Sequence, residues 1–180
     1  PSVVVTYRPS TLLNGVTFAR QASTWHLGMF KEHQFAFEHK PWVESAVARL
    51  GVPHVEWRYF ANADKWLVAP LLRSGPVVLR ASRGSGGTGI ALITSEEDLR
   101  RAWPDEPGAF VGVASFIRES LPVNVSAVVW DSGITTHWPS VQIIGIPELT
   151  ERTFGFCGSD FSAGANLAPS VVESLERSVT

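Results

Sequence analysis

Residues 81–93 read ASRGSGGTGIALI, and four of the six positions from Gly84 to Gly89 are glycine. Glycine at that density costs backbone entropy on folding, so the loop must need conformations or close approaches that only glycine permits. Successive backbone N–H groups in such a loop can cradle phosphate oxygens. Cations accompany it: between Asp64 and Glu96 no acidic residue occurs, while Lys65, Arg73, Arg80 and Arg83 give the stretch a formal charge of +4. Arg80 lies in the apolar run leading into the loop. Alternation from Val78 puts both residues on one strand face, where an unpaired charge is expensive to bury. An anionic ligand would resolve that cost, and so would a carboxylate elsewhere in the chain. Lys40 immediately precedes Pro41 at the start of an expected helix, the positive end of the helix dipole. An anion there would be held by helix and amine together. Without one, the lysine is an exposed residue on a solvated helix end.

The neighbours of the glycines narrow the chemistry. Gly84-Ser85-Gly86-Gly87-Thr88-Gly89 spells G-x-G-x-x-G, which in a dinucleotide fold opens a helix; here Ile90-Ala91-Leu92-Ile93 continues as a strand pattern. A P-loop ends in G-K-[ST], and this loop ends in Thr88-Gly89-Ile90. What remains is strand, glycine loop, strand: either a flap that folds its amides over phosphates or a plain flexible hairpin. Protein kinases use such a flap, but nothing here resembles their H-R-D and D-F-G segments.

The elements that must position these residues follow from periodicity. SVVVTY (2–7) reads as a buried strand, and residues 8–39 as irregular, with aromatics spread through them. A helix starts at Pro41 with Trp42, Val43, Ala46, Val47 and Leu50 on one face; Gly51 and Pro53 end it. Strands are expected at 54–60, 76–82, 90–94, 109–117, 123–130 and 140–146, and a helix broken at Pro70 over 63–75. Ser95 with Asp98 resembles a capping box opening a helix through Trp103, and Asp131-Ser132-Gly133 is a hairpin-type turn. A last helix begins near Leu167, carries Val171, Val172, Leu175 and Val179, and meets no stop signal, so the chain is expected to end inside an element. The class is α+β, without internal repeats or low-complexity tracts.

Composition excludes several functions. The 180 residues are 44% hydrophobic and 18% charged with a formal net charge of −2, which fits a globular domain and not a duplex-DNA binder. No apolar run approaches the roughly 20 residues of a membrane span. No secretory leader opens the chain and no initiator Met is present, so a cytoplasmic protein, processed or in fragment form, is the expectation. The single Cys157 excludes an internal disulfide and a Cys-rich metal cage; in GFCGSD it reads as a small buried residue. His26, His33, His39, His54 and His137 show no spacing of a ligand pair on one helix, and Glu148 and Asp160 have no evident partner. The seven Trp read as packing residues and not as a base-stacking platform, because the basic residues do not interleave with them.

Taken in order, these segments resemble the ATP-grasp superfamily, and biotin carboxylase most recognisably. In that family a Lys opens a helix running into GVP, as in HKPWVESAVARLGVPHV. A strand PVxxKxS leads into the glycine flap and a further strand, as in GPVVLRASRGSGGTGIALI. A strand ending at an interlobe hinge follows, here FVGVASFI, then a SVQ strand, here PSVQIIGI. FGFCGSDFSAGANLAPSVVESL resembles the segment before the last helix of the fold. The resemblance covers roughly residues 38–180.

It implies an ATP-grasp fold: a small α/β lid domain with a glycine-rich flap, plus part of the large antiparallel-sheet lobe. Residues 1–54 would be a remnant of a preceding domain and a linker helix, 55–116 the lid, and 117–180 the first part of the large lobe. By position, Lys40 and Arg80 match the two cations that hold nucleotide phosphates. Arg83, Gly84, Ser85, Gly86, Gly87 and Thr88 match the flap over the β- and γ-phosphates. Phe116 and Ile117 match the hinge lining the adenine slot, and Gln142 a glutamine near the reacting end. The implied activity is that of an ATP-dependent ligase joining a carboxylate to an amine or thiol through an acyl phosphate. The alternative is a non-catalytic nucleotide-binding or partner-docking module. ATP and Mg²⁺ are the implied ligands, with the Mg²⁺ residues expected beyond residue 180. No nucleic-acid or membrane partner is implied, and the sheet edges of an incomplete lobe leave room for a homodimer. The sequence departs from the family where the second cation is Arg80 instead of Lys, a form also used by a carbamoyl-phosphate-synthetase-like member. It departs again where the adenine-reading acid falls at Ala114, which weakens adenine selectivity, and where a ribose-associated position falls near Pro122.

Overall fold

A computed structural model describes residues 2–5, 24–27, 36–105 and 108–179. Strand β1 (Ser2–Val5) pairs in parallel with β2 (Thr24–Leu27). The second of these falls within the stretch expected to be irregular; residues 6–7 of the expected first strand and His33 lie outside the described residues. Helix α1 (Lys40–Arg49) follows, with Pro41 in its first turn, where the missing N–H is no loss. Its apolar residues are only partly covered: Trp42 is 41% exposed and Leu50 77% exposed.

The centre of the structure is a four-stranded antiparallel sheet of order β3-β6-β4-β5, formed by β3 (Arg58–Ala61), β4 (Val77–Ala81), β5 (Ile90–Ile93) and β6 (Phe110–Ser115). Two 3₁₀ turns, Asn62–Leu67 and Ala69–Ser74, stand where a Pro-broken α-helix was expected. They bring Val68 onto the sheet. Helix α2 (Glu96–Ala102) adds Leu99 and Trp103, four residues apart on one face. With Val77, Leu79, Ile93, Val111 and Val113 these form the buried core. Alternation along β4 and β6 explains the set: Leu79 lies opposite Val113 on one side and Ala91 on the other, so one sheet face is continuously apolar.

Helix α2 is capped as its sequence indicates. Asp98 N donates to Ser95 Oγ at 3.1 Å, and Asp98 Oδ2 accepts from Thr94 N at 3.2 Å and Thr94 Oγ1 at 2.7 Å. The Thr94 hydroxyl first, then the Ser95 side chain and the Thr94 amide, hold the exposed Asp98 carboxyl down at about 2. The indole N–H of Trp103 bonds the Asn62 side-chain and main-chain oxygens at 2.7 and 3.0 Å, tying α2 to the first 3₁₀ turn.

Beyond Ser115 the chain builds a second sheet of order β11-β10-β7 from β7 (Val123–Asn124), β10 (Ser140–Ile144) and β11 (Phe156–Asp160). Between β7 and β10 lies the hairpin β8 (Ala127–Trp130) and β9 (Gly133–Thr136), so the long strand expected over 123–130 is two. Short helix α3 (Phe161–Ala165) rests on β10 at Gly164, where a Cβ would strike the Pro139 carbonyl. Helix α4 (Pro169–Val179) carries the expected valine and leucine stripe.

Candidate functional site

The first residue of α1 is fixed to the end of β4. Lys40 N donates to Ser82 O at 3.0 Å, and Lys40 Nζ donates to Gly84 O at 2.7 Å. The helix N-terminus therefore abuts the base of the glycine loop. The ammonium is held below its ordinary value of 10.5, by burial first and then by the charge of Arg80; Glu38 opposes this, and Arg83 adds the least. Three cations thus share one locality.

Arg80 sits on the sheet face opposite the core, as alternation with Val78 requires. Its Nη2 donates to Glu44 Oε1 at 2.7 Å and to Tyr59 Oη at 2.8 Å, and its guanidinium lies 3.7 Å from the centroid of the Trp57 ring. The Arg80 and Glu44 side chains are 15% and 23% exposed. Glu44 reaches Arg80 because it stands four residues, one turn, after Lys40 on the same helix face. Trp57 and Tyr59 reach it because the intervening strand residue is Gly112: a Cβ there would come within 2.9 Å of Tyr59 Cε1 and 3.2 Å of Trp57 Cε3. Burial pushes the Tyr59 phenol up, an effect its bond to Arg80 partly offsets. The Nε–H of Arg80 is buried and has no hydrogen-bond partner among the described residues, which for a guanidinium is costly unless an acceptor is supplied.

The glycine loop folds as its composition demands. Gly84, Gly86, Gly87 and Gly89 have φ of 141°, 60°, 82° and 71°. Thr88 N donates to Ser85 O at 3.1 Å to close the turn. The tip touches the second sheet: Phe156 N donates to Gly86 O at 3.3 Å, and Gly87 lies so close to the Phe154 carbonyl that no Cβ would fit. The Phe154 ring meets Phe116 edge-on, with centroids 6.4 Å apart. Phe154 therefore links the loop tip to the end of β6.

No family model matches the sequence, and no curated protein matches it. Solved structures do. D-alanyl-alanine synthetase A from Vibrio cholerae superposes with a TM-score of 0.68 at 16% identity, over 88% of this chain and 49% of the enzyme. N5-carboxyaminoimidazole ribonucleotide synthetase in complex with ADP gives 0.66 at 16% identity, over 87% of this chain and 39% of that one. Carboxyaminoimidazole ribonucleotide synthase from Aspergillus clavatus, complexed with ATP, gives 0.65 at 12% identity, over 88% and 40%. All three are ATP-grasp enzymes. Over the portion it spans, this chain has the ATP-grasp fold. That portion is half the length, or less, of these solved structures.

Within the ATP-grasp fold, the residues singled out from the sequence fall into two groups. Lys40, Arg80, Arg83 and Gly84 are brought together at the flap base, and the flap tip, Gly86 and Gly87, is joined to Phe116 through Phe154. Ser85 and Thr88 are exposed on the flap, and Ile117, 54% exposed, follows Phe116. Gln142 is half-buried on β10 opposite Ser159, and its N–H donates to Pro122 O at 2.8 Å. A cleft of about 310 Å³ at the Ser115 end of the lid sheet, lined in part by Val55, Glu56, Arg58, Ser74 and Ala114, shares no residue with the cations. Sequence reasoning missed Glu44, Trp57, Tyr59, Gly112 and Phe154. The signals for them were the Lys40–Glu44 helical spacing, the two-residue spacing of Trp57 and Tyr59, and a glycine inside a strand.

The described residues fit a phosphate-bearing ligand: clustered cations, flap amides and an unsatisfied guanidinium N–H. Among them no group of three His, Cys, Asp or Glu is placed to hold a metal ion. Among them, too, no helix is long and apolar enough to cross a membrane.

Proposed function

We propose that this chain is the ATP-binding part of an ATP-grasp ligase that joins a carboxylate to an amine or thiol. In this reading residues 55–116 are the lid and 117–180 the first part of the large lobe, with 1–54 leading into them. Lys40 and Arg80 neutralise the nucleotide phosphates, the flap from Arg83 to Thr88 covers them and excludes water, and Phe116 and Ile117 border the adenine. Gln142 stands toward the reacting end. A carboxylate oxygen attacks the γ-phosphorus and ADP leaves; the amine or thiol then attacks the acyl carbon of the acyl phosphate, and phosphate leaves. The chain's contribution is position and charge compensation.

The observation that carries this reading is the approach of Lys40, Arg80 and Arg83 at the flap base, where Lys40 Nζ bonds Gly84 O and its ammonium is destabilised by burial first and then by Arg80. A polyanion offsets the charge at Lys40 and offers Arg80 Nε an acceptor. Calorimetric titration with ATP and with tripolyphosphate tests it. The wild type binds both, and Lys40→Met weakens both at least about tenfold, the worth of one charge-assisted hydrogen bond. A folded protein that binds neither ligand overturns the reading.

A second reading, a non-catalytic module of the same fold, is favoured by one observation: Arg80 Nη2 is already engaged by Glu44 and Tyr59. ADP release from ATP in the presence of carboxylate and amine mixtures separates the two.

A further inference from the structure

We propose that Glu44 is a positioning residue that holds Arg80 in a resting pose and competes with the phosphoryl anion for it. The inference rests on the phosphate-binding reading above. Its basis is an asymmetry in how Arg80 is satisfied. Glu44 Oε1 at 2.7 Å and Tyr59 Oη at 2.8 Å converge on one terminal nitrogen, while the Nε–H is buried without a partner among the described residues. A guanidinium recognises phosphate in a fork that uses two nitrogens together. In the resting pose the fork is misdirected: one prong is doubly used and the other is dry. The Trp57 ring centroid lies 3.7 Å from the guanidinium carbon, so the ring supports the cation. Glu44 belongs to the same helix face as Lys40, so the carboxylate sits within the group of cations that an arriving anion must engage. Its negative charge lowers the local positive potential in the free protein and repels the ligand. When a phosphoryl group arrives, Arg80 exchanges Glu44 for two phosphate oxygens and the Nε–H gains its acceptor.

The test compares wild type with Glu44→Gln, which keeps shape and hydrogen-bonding reach but removes the competing charge. The probes are ATP and inorganic tripolyphosphate, read by calorimetry and by the thermal shift of the full chain. Glu44→Gln is expected to lower the melting temperature of the free protein yet bind tripolyphosphate about tenfold more tightly, as for removal of one close like charge. The Arg80 Nε–H resonance should move downfield on binding. A purely structural Glu44 would lower stability and affinity together. Tyr59→Phe, which removes the other acceptor on the same nitrogen, moves affinity in the same direction by about two- to threefold and serves if Glu44→Gln does not fold. Wild type that binds while both variants bind equally or more weakly overturns this proposal and leaves the phosphate site standing. Failure of wild type and variants alike to bind overturns both.

Discussion

Substituting Gly87 by alanine tests the contact between the flap and the second sheet. Gly87 has φ of 82°, where a residue with a Cβ is disfavoured by about 1–2 kcal/mol. The added methyl also points at the Phe154 carbonyl and Gly155 Cα, backbone atoms that cannot rotate away. The flap tip must withdraw, which breaks the 3.3 Å bond from Phe156 N to Gly86 O, worth about 0.5–1.5 kcal/mol net. Together these disfavour the seated flap by about 2 kcal/mol, close to 30-fold in its open-to-closed equilibrium. Hydrogen exchange reads this locally: the Phe156 amide should exchange about 30-fold faster in Gly87→Ala. The amides of β4 and β6 should be unaffected, because the lid core does not include the flap. Unchanged exchange at Phe156 would refute the reasoning, and so would loss of protection throughout β4 and β6, since either means that the contact does not hold the flap as described.

Other perturbations have definite signs. Asp98, ordinarily 3.8, is held at about 2 by Thr94 and Ser95, so its stabilising effect is complete above 3.8 and is lost as pH falls through about 2. Asp98→Asn should therefore flatten the acid limb of the melting-temperature profile, and an identical acid limb would count against the capping bonds. Lys40 titrates below 10.5 in the free protein, which accordingly gains stability as pH rises from that lowered value toward 10.5. A bound polyanion raises the value again, so tripolyphosphate affinity should fall as pH climbs through it, and Lys40→Met should abolish this alkaline limb. Trp103→Phe removes the N–H bonds to Asn62 from a side chain only 6% exposed. It should cost about 2 kcal/mol, or roughly 4–8 °C in Tm by thermal denaturation; an unchanged Tm would show the bonds to be inert.

The lid was legible because its strands alternate. Val77 and Leu79, and Val111 and Val113, announce one buried face, and the same alternation put Arg80 on the other. Its partner could not be read, since Glu44 is 36 positions away and only the docking of α1 brings it near. The helix itself was found, but its apolar pattern suggested a buried face where the structure leaves Trp42 and Leu50 exposed; its specific ties to the lid run through Lys40 and Glu44. Two strands of the second half, like the short helix α3, escaped notice because their sequences carry little pattern. β9 is GITT, and β11 is FCGSD with a glycine inside it; both are strands because a neighbour supplies the ladder. The 63–75 segment turned out as 3₁₀ turns because Pro70 permits only short helical pieces around the buried Val68. Order along the chain, from Lys40 through the flap to the SVQ strand, conveyed the fold better than any single motif did.

The flap contact also changes how the molecule can move. The chain crosses from the lid sheet to the second sheet once, at Phe116, and the flap tip returns to touch that second half at Phe156. Phe116 is thus a pivot and the Gly86–Phe156 bond a clasp at the far side of the same gap, with Phe154 resting against both. A lid held at two places cannot swing about one of them until the other is released. Opening the gap and lifting the flap become one event, in which the single Phe156–Gly86 bond must part before the sheet can turn about Phe116.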